Sequence, residues 1–196
     1  MCAAFSIRPA CISDMHAVAA MQLAAWHTAY RGMLDDDFLD ALTVEGIAGY
    51  HARHFDPQAN PNLARSAFLV AEDPATGAIV GMVRGGPTRE SSAAGDPCPP
   101  DVPRRFATEL FAIHVAPGTQ QKGAGRALVG AFAGAMVQAG AAGGMVLWVL
   151  RDNTNARGFY ERLGGVVVSE SVLTLAGRGY RQVAYGWARI PNITQT

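Results

Sequence analysis

Residues 109–129 read ELFAIHVAPGTQQKGAGRALV, and this stretch decides the architecture of the chain. The apolar run 110–115 has strand character and leads through Pro117 and Gly118 into Gln120-Gln121-Lys122-Gly123-Ala124-Gly125-Arg126, where a helix-forming segment begins. Glycine at 123 and 125 lets the backbone turn tightly and removes side chains that would block a close approach. The first turn of a helix leaves several N–H groups without partners, and its dipole makes that end weakly positive. Together these features form a seat for a phosphate or pyrophosphate. Lys122, the single lysine beside fifteen arginines, lies in the same loop.

Two familiar glycine loops do not fit. A P-loop needs a hydroxyl residue after its lysine, and here Gly123 follows Lys122. The dinucleotide fingerprint needs a third glycine where the chain has Leu128, and it usually opens a βαβ unit instead of lying past mid-chain. The pattern that fits is Gln/Arg-x-x-Gly-x-Gly/Ala, met as Gln120, Gly123 and Gly125 behind the strand Phe111-Ala112-Ile113-His114-Val115. It resembles the coenzyme-A-binding motif of the GNAT N-acetyltransferases. A second segment, Asn153-Thr154-Asn155-Ala156-Arg157-Gly158-Phe159-Tyr160-Glu161-Arg162-Leu163-Gly164, follows the apolar run 147–150. It is similar to that family's Asn-x-x-Ala-x-x-Phe-Tyr-x-x-x-Gly signature. Two signatures in the right order, separated by one helix and one strand, are hard to obtain by chance.

At 196 residues the chain suits one domain, residues 1–196, with a core of its own. Nearly half of it is apolar and 16% is charged, the composition of a soluble globular protein. Sixteen acidic residues balance sixteen basic ones, so no net field draws it to nucleic acid or to an anionic membrane. Cys2, Cys11 and Cys98 have no metal-like spacing and read as reduced thiols of a cytoplasmic protein. The first residues lack a basic leader with a long apolar core, so no signal peptide is expected, and no run reaches the length of a membrane span.

Along the chain, residues 5–8 suggest a first strand, and Ser13 or Asp14 can cap a helix over about 15–30. A second helical region begins near Phe38 and continues past Thr43 to about His54. Residues 67–72 and 78–85 flank Asp73-Pro74-Ala75-Thr76-Gly77 as a hairpin. Residues 86–105 carry Pro87, Pro97, Pro99, Pro100 and Pro103 without periodicity and read as a long mobile loop. After the central strand come a helix to about 139, a strand over 145–150, a helix over about 153–163, and two strands around Gly177-Arg178-Gly179. The order matches the α/β fold implied by the resemblance, a mixed central sheet of six to seven strands flanked by about four helices.

The resemblance implies acetyl transfer from acetyl-CoA, as co-substrate and without a metal, to a primary amine of a small molecule or peptide. It places pantetheine along Ile113, His114 and Val115, where the flanking strands splay. The pyrophosphate falls on Gln121, Lys122, Gly123, Ala124, Gly125 and Arg126. Asn153 maps onto the family asparagine that contacts the pantetheine arm, beside its plain role as a helix cap. Tyr160 falls where the family carries its general acid, although a tyrosine in an amphipathic helix also serves as core. Deprotonation is less defined. An amine with a pKa near 10.4 needs roughly 4.6 kcal/mol to become neutral at pH 7, supplied by a base or by a dry pocket. Glu109, six residues before Val115, is a candidate direct or water-relayed base; on a regular strand it shares a face with Phe111, Ile113 and Val115. His114 then points the other way and reads as packed, and His16, His27, His51 and His54 fall in no recognisable constellation.

Trp26-His27-Thr28-Ala29-Tyr30-Arg31-Gly32 resembles the Trp-x-x-x-Tyr-Arg-Gly stretch of one broad bacterial branch of the family. Trp26 and Tyr30 share a helical face and either wall the acceptor or bind the helix to the sheet. Other readings stay open: a catalytically silent acyl-CoA-binding module, or acetylation of a protein N-terminus. Members of the family often pair through their last strands, so a homodimer is among the implied partners, though no residue of this sequence specifies it.

Overall fold

Alternation along the central strands sorts apolar side chains to two faces, and a helical layer covers each. The computed structural model describes residues 5–91 and 95–192; Cys2 and residues 92–94 of the expected loop lie outside them. In chain order the elements are β1 (Ser6–Pro9), α1 (Met15–Tyr30), α2 (Asp36–Asp40), α3 (Val44–Ala52), β2 (Ala67–Glu72), β3 (Ile79–Pro87), α4 (Asp101–Arg105), β4 (Phe106–Val115), α5 (Ala124–Gln138), β5 (Gly144–Leu150), α6 (Thr154–Arg162), β6 (Val166–Leu175) and β7 (Arg178–Trp187). The strands form one seven-stranded sheet in the order β1-β2-β3-β4-β5-β7-β6. Its β4–β5 pair is parallel and the others are antiparallel.

Leu69, Ala71 and Val83 pack with Leu128, Val129, Phe132 and Met136 of α5. The alternate residues Phe68, Val70 and Met82 pack with Met15, Val18 and Ala19 of α1 and Ile47 and Ala48 of α3. The first helix covers the residues the sequence predicts. Its N-cap Asp14, however, makes no side-chain capping bond. Its carboxylate instead accepts from both terminal nitrogens of Arg8, at 2.7 and 3.0 Å, and from the Cys11 amide.

The structure corrects three expectations. The region expected as one helix from Phe38 to His54 is two, because Thr43 leaves the helical conformation and caps α3 by accepting from the Gly46 amide. The stretch expected as a loop over 86–105 contains α4, held down by the fully buried Val102. Finally, the last hairpin turns on Ala176 and Gly177, both at positive φ, a two-residue geometry that suits the strand twist.

Candidate functional site

The site is built on an irregularity in β4. Across β3 and β4, Arg84 pairs with Ala112 and Gly85 with Leu110, which leaves Phe111 as an extra residue in β4. Such a bulge bends the strand and resets its alternation. Leu110, Ile113 and Val115 consequently pack toward α5, whereas Ala112 packs with the α1 and α3 cluster. The shared face expected for Glu109, Phe111, Ile113 and Val115 is therefore broken, and Glu109 is out of phase with Ile113 and Val115. On the other side, β4 pairs with β5 from Phe106↔Gly144 to Leu110↔Leu147 and no further. Both strands continue, so residues 111–115 keep one edge without a strand partner among the described residues.

The glycine loop follows directly. Gln121 and Gly123 both adopt positive φ, 62° and 92°, and Gly123 is the N-cap of α5. A non-glycine residue at positive φ is strained and is held only where the surrounding structure demands it. The turn exposes the unpaired N–H groups of the first helical turn. Ala124 is buried beneath the loop. The Gln120 amide donates to the Val115 carbonyl at 3.3 Å, and Lys122 donates to the Gly118 carbonyl at 2.9 Å. Gly125 allows α5 to approach α6, since a Cβ there would lie 3.3 Å from the Phe159 ring.

Asn153 is the N-cap of α6 and is buried; its Oδ1 accepts from the Ala156 amide at 3.0 Å, which leaves the NH2 end for the cavity it lines. About two turns later Tyr160 is 7% exposed, and burial raises its phenol above the ordinary value. Tyr30 is shifted upward for the same reason and stands close enough to Tyr160 to disfavour its ionisation further. Both rings are neutral hydroxyl donors at physiological pH.

Opposite the loop, the Trp26 indole donates to His114 Nε2 at 3.2 Å, tying α1 to β4, while its ring meets Tyr30 edge-on at 5.2 Å. Burial, with the Arg84 charge in second place, pushes His114 down to about 4. A neutral imidazole accepting from Trp26 carries its proton on Nδ1. Glu109 is 2% exposed, and both its oxygens are engaged by Arg89. Oε1 accepts from Nη2 at 2.6 Å, and Oε2 accepts from the Arg89 amide and Nε at 2.9 and 3.3 Å.

One cavity of about 1420 Å³ joins these parts. It is lined by Trp26, Tyr30, Glu109, Ile113, His114, Val115, Gln121, Gly123, Gly125, Arg126, Asn153 and Tyr160, with Lys122 and Ala124 outside the lining. A pocket for one small ligand is typically about 300–1,000 Å³, so this one has room for two reactants. The sequence reading missed Tyr50, Arg84 and Arg89 of its wall. The signal was available in Arg84, a charge in the middle of the apolar run 79–85. Among the described residues no three His, Cys, Asp or Glu side chains are grouped as metal ligands, and no helix is long and apolar enough to cross a membrane.

Comparison with known proteins agrees with this geometry. The profile of the family described as acetyltransferase (GNAT) matches residues 23–165. The uncharacterized N-acetyltransferase YuaI of Bacillus subtilis (strain 168) is 26% identical over 182 residues, 93% of this chain and 92% of that protein. The structure of PaiA N-acetyltransferase from Thermoplasma acidophilum in complex with coenzyme A aligns at a TM-score of 0.66 and 18% identity, over 92% of this chain and 98% of that one. A GNAT phosphinothricin acetyltransferase from Sinorhizobium meliloti, in complex with acetyl-CoA, aligns at 0.63 and 16% identity, over 95% and 89%. At these identities the solved structures speak to the fold.

Proposed function

The chain belongs to the GNAT family of acetyltransferases, and from that premise we propose that it moves the acetyl group of acetyl-CoA onto a primary amine of a small molecule or peptide by direct transfer. The observation that carries this reading is the end of β4–β5 pairing at Leu110↔Leu147, inside a cavity that also holds the glycine loop and Tyr160. The free edge over 111–115 offers backbone groups to the amide-bearing pantetheine arm. The N–H groups over 121–126, aimed by the left-handed Gln121 and Gly123, suit a pyrophosphate. Arg126 adds charge there, and Lys122 does so once it leaves the Gly118 carbonyl. Asn153 keeps the α6 cap and presents its NH2 to the arm.

Tyr160 is assigned the protonation of the leaving thiolate, for which a phenol neutral at pH 7 is in the right state. For the amine, the geometry favours the pocket over a base. Glu109 is saturated by Arg89 and serves as a base only with Arg89 withdrawn. Apolar walls and the guanidinium of Arg84 in the same cavity both favour the neutral amine. Trp26 and Tyr30 wall the acceptor side while holding α1 against β4. The free thiols of Cys11 and Cys98 support a reducing, cytoplasmic setting.

The test is thermal unfolding with and without acetyl-CoA, followed by an amine panel read by thiol release. Ligand at a hundredfold excess over Kd adds about 2.7 kcal/mol of stability. A rise in Tm with amine-dependent thiol is expected. Binding without thiol from any amine would favour a silent acyl-CoA-binding module, and no binding would overturn the site.

A further inference from the structure

The arginines that line the acceptor half of the cavity differ in their partners. Arg31 is paired with Asp36 and Asp40, and Arg89 is neutralised by Glu109. Arg84 is different. It rises from β3 opposite Ala112, the first residue after the bulge, and lines the same cavity. Among the described residues no carboxylate lies within ion-pair distance of it. Its Nε is buried with no hydrogen-bond partner. What surrounds it is Tyr50, whose ring lies 4.6 Å beneath the guanidinium and whose hydroxyl favours its charge. His51, His54 and His114 also face it, each held neutral by burial.

A half-buried guanidinium with its Nε cut off from water and no counter-ion is destabilising. Such an arrangement is kept where a ligand completes it, and the planar fork of arginine matches a carboxylate through two parallel hydrogen bonds. Resting on the reading of the cavity as an acetyl-transfer site, we propose that Arg84 is the anchor for a carboxylate on the acceptor, and that the acceptor class is an amino acid. The anchor stands on β3, across β4 from the splayed edge, and lines the same cavity as Trp26, Tyr30 and Tyr160, so a molecule held there by its carboxylate keeps its amine within that cavity. Tyr50 closes the site as an apolar wall beneath the guanidinium. A polyamine or other multiply cationic acceptor would bring like charge against Arg84 and is excluded by the same geometry.

The experiment compares the twenty amino acids with their carboxamides as acceptors, by thiol release and by thermal unfolding with coenzyme A present, in the parent protein and in Arg84→Met and Arg84→Lys. At least one amino acid is expected to exceed its carboxamide by about a hundredfold in kcat/KM, mostly through KM, as for the loss of one partner of a buried charge pair. In Arg84→Met that ratio falls toward one, with stabilisation by acetyl-CoA retained; in Arg84→Lys it is partly restored. Without ligand, Arg84→Met is expected to be at least as stable as the parent, because it removes an uncompensated cation. The proposal is overturned if no amino acid is turned over or stabilises the protein, if carboxamides or polyamines serve as well, or if Arg84→Met leaves the ratio unchanged. A lack of stabilisation by acetyl-CoA in the parent would instead remove the acetyl-transfer reading itself, so the two failures are told apart.

Discussion

Gly123 is the position at which the coenzyme seat can be probed with the least disturbance of packing. Its φ is +92°, and a Cβ built there meets nothing within 4 Å. Replacement by alanine therefore introduces no clash, and its whole effect is the strain of a left-handed L-residue, roughly 1–2 kcal/mol. Asparagine, which visits that region several-fold more readily than other side chains, should incur a fraction of this. The strain is distributed between two observables. A free loop that keeps the conformation loses stability; a free loop that relaxes keeps its stability and loses affinity instead. Measured on the coenzyme-saturated protein against the unfolded chain, the sum is the same, about 1–2 kcal/mol. For a chain of this size that corresponds to a Tm lower by about 2–8 °C. If the loop relaxes fully, the coenzyme A dissociation constant rises by about 5- to 30-fold. Calorimetric titration with coenzyme A, with thermal unfolding at saturation, separates the two shares. A Gly123→Ala protein equal to the parent in both measurements, or a Gly123→Asn protein worse than Gly123→Ala, would refute the claim that backbone conformation shapes this seat.

Other expectations follow from the same geometry. Tyr160→Phe should leave acetyl-CoA affinity nearly intact and lower kcat by about 10²-fold or more; unchanged turnover in single-turnover assays would return Tyr160 to a packing role. Glu109→Gln weakens the grip on Arg89 and is expected to lower Tm and raise the acceptor KM while keeping the shape of the kcat/KM–pH profile; disappearance of its acidic limb would show Glu109 to be the base after all. His51, His54 and His114 are held down to about 3, 4 and 4 by burial. The unfolded chain binds their protons below about pH 6.5 and the folded one does not, so stability is intact above that pH and falls as pH drops toward 4, with a slope of at most about 4 kcal/mol per pH unit. Denaturant titrations at pH 7, 6 and 5 read this slope, and a flat profile would contradict neutral burial of the three rings.

What was legible in the sequence was what local chemistry determines. The glycine loop, the cap at Asn153 and the helix from Met15 to Tyr30 each carry their signal within one turn of chain, and they lie where the residue pattern put them. What was missed depends on register between strands. The bulge at Phe111 changes the face of every preceding residue of β4, and nothing in the run 106–115 announces it, since it arises from how Gly85 and Arg84 meet that strand. Glu109 consequently turns toward Arg89, twenty residues earlier in the chain, a pairing no spacing rule suggests. His51 and His54 are three residues apart in sequence, and His114 joins them only because β4 and the end of α3 converge on Arg84. Thr43 did carry a capping signal inside the expected long helix, and there the apolar pattern was given too much weight.

On the proposed function, the edge left open where β4 and β5 part, together with the loop beyond it, receives the coenzyme. Amide hydrogen exchange followed by mass spectrometry, with and without saturating acetyl-CoA, tests it segment by segment. Slowed exchange is expected over residues 111–115 and 121–126, with the β6–β7 hairpin unchanged. Coenzyme binding that leaves both segments unprotected would contradict it.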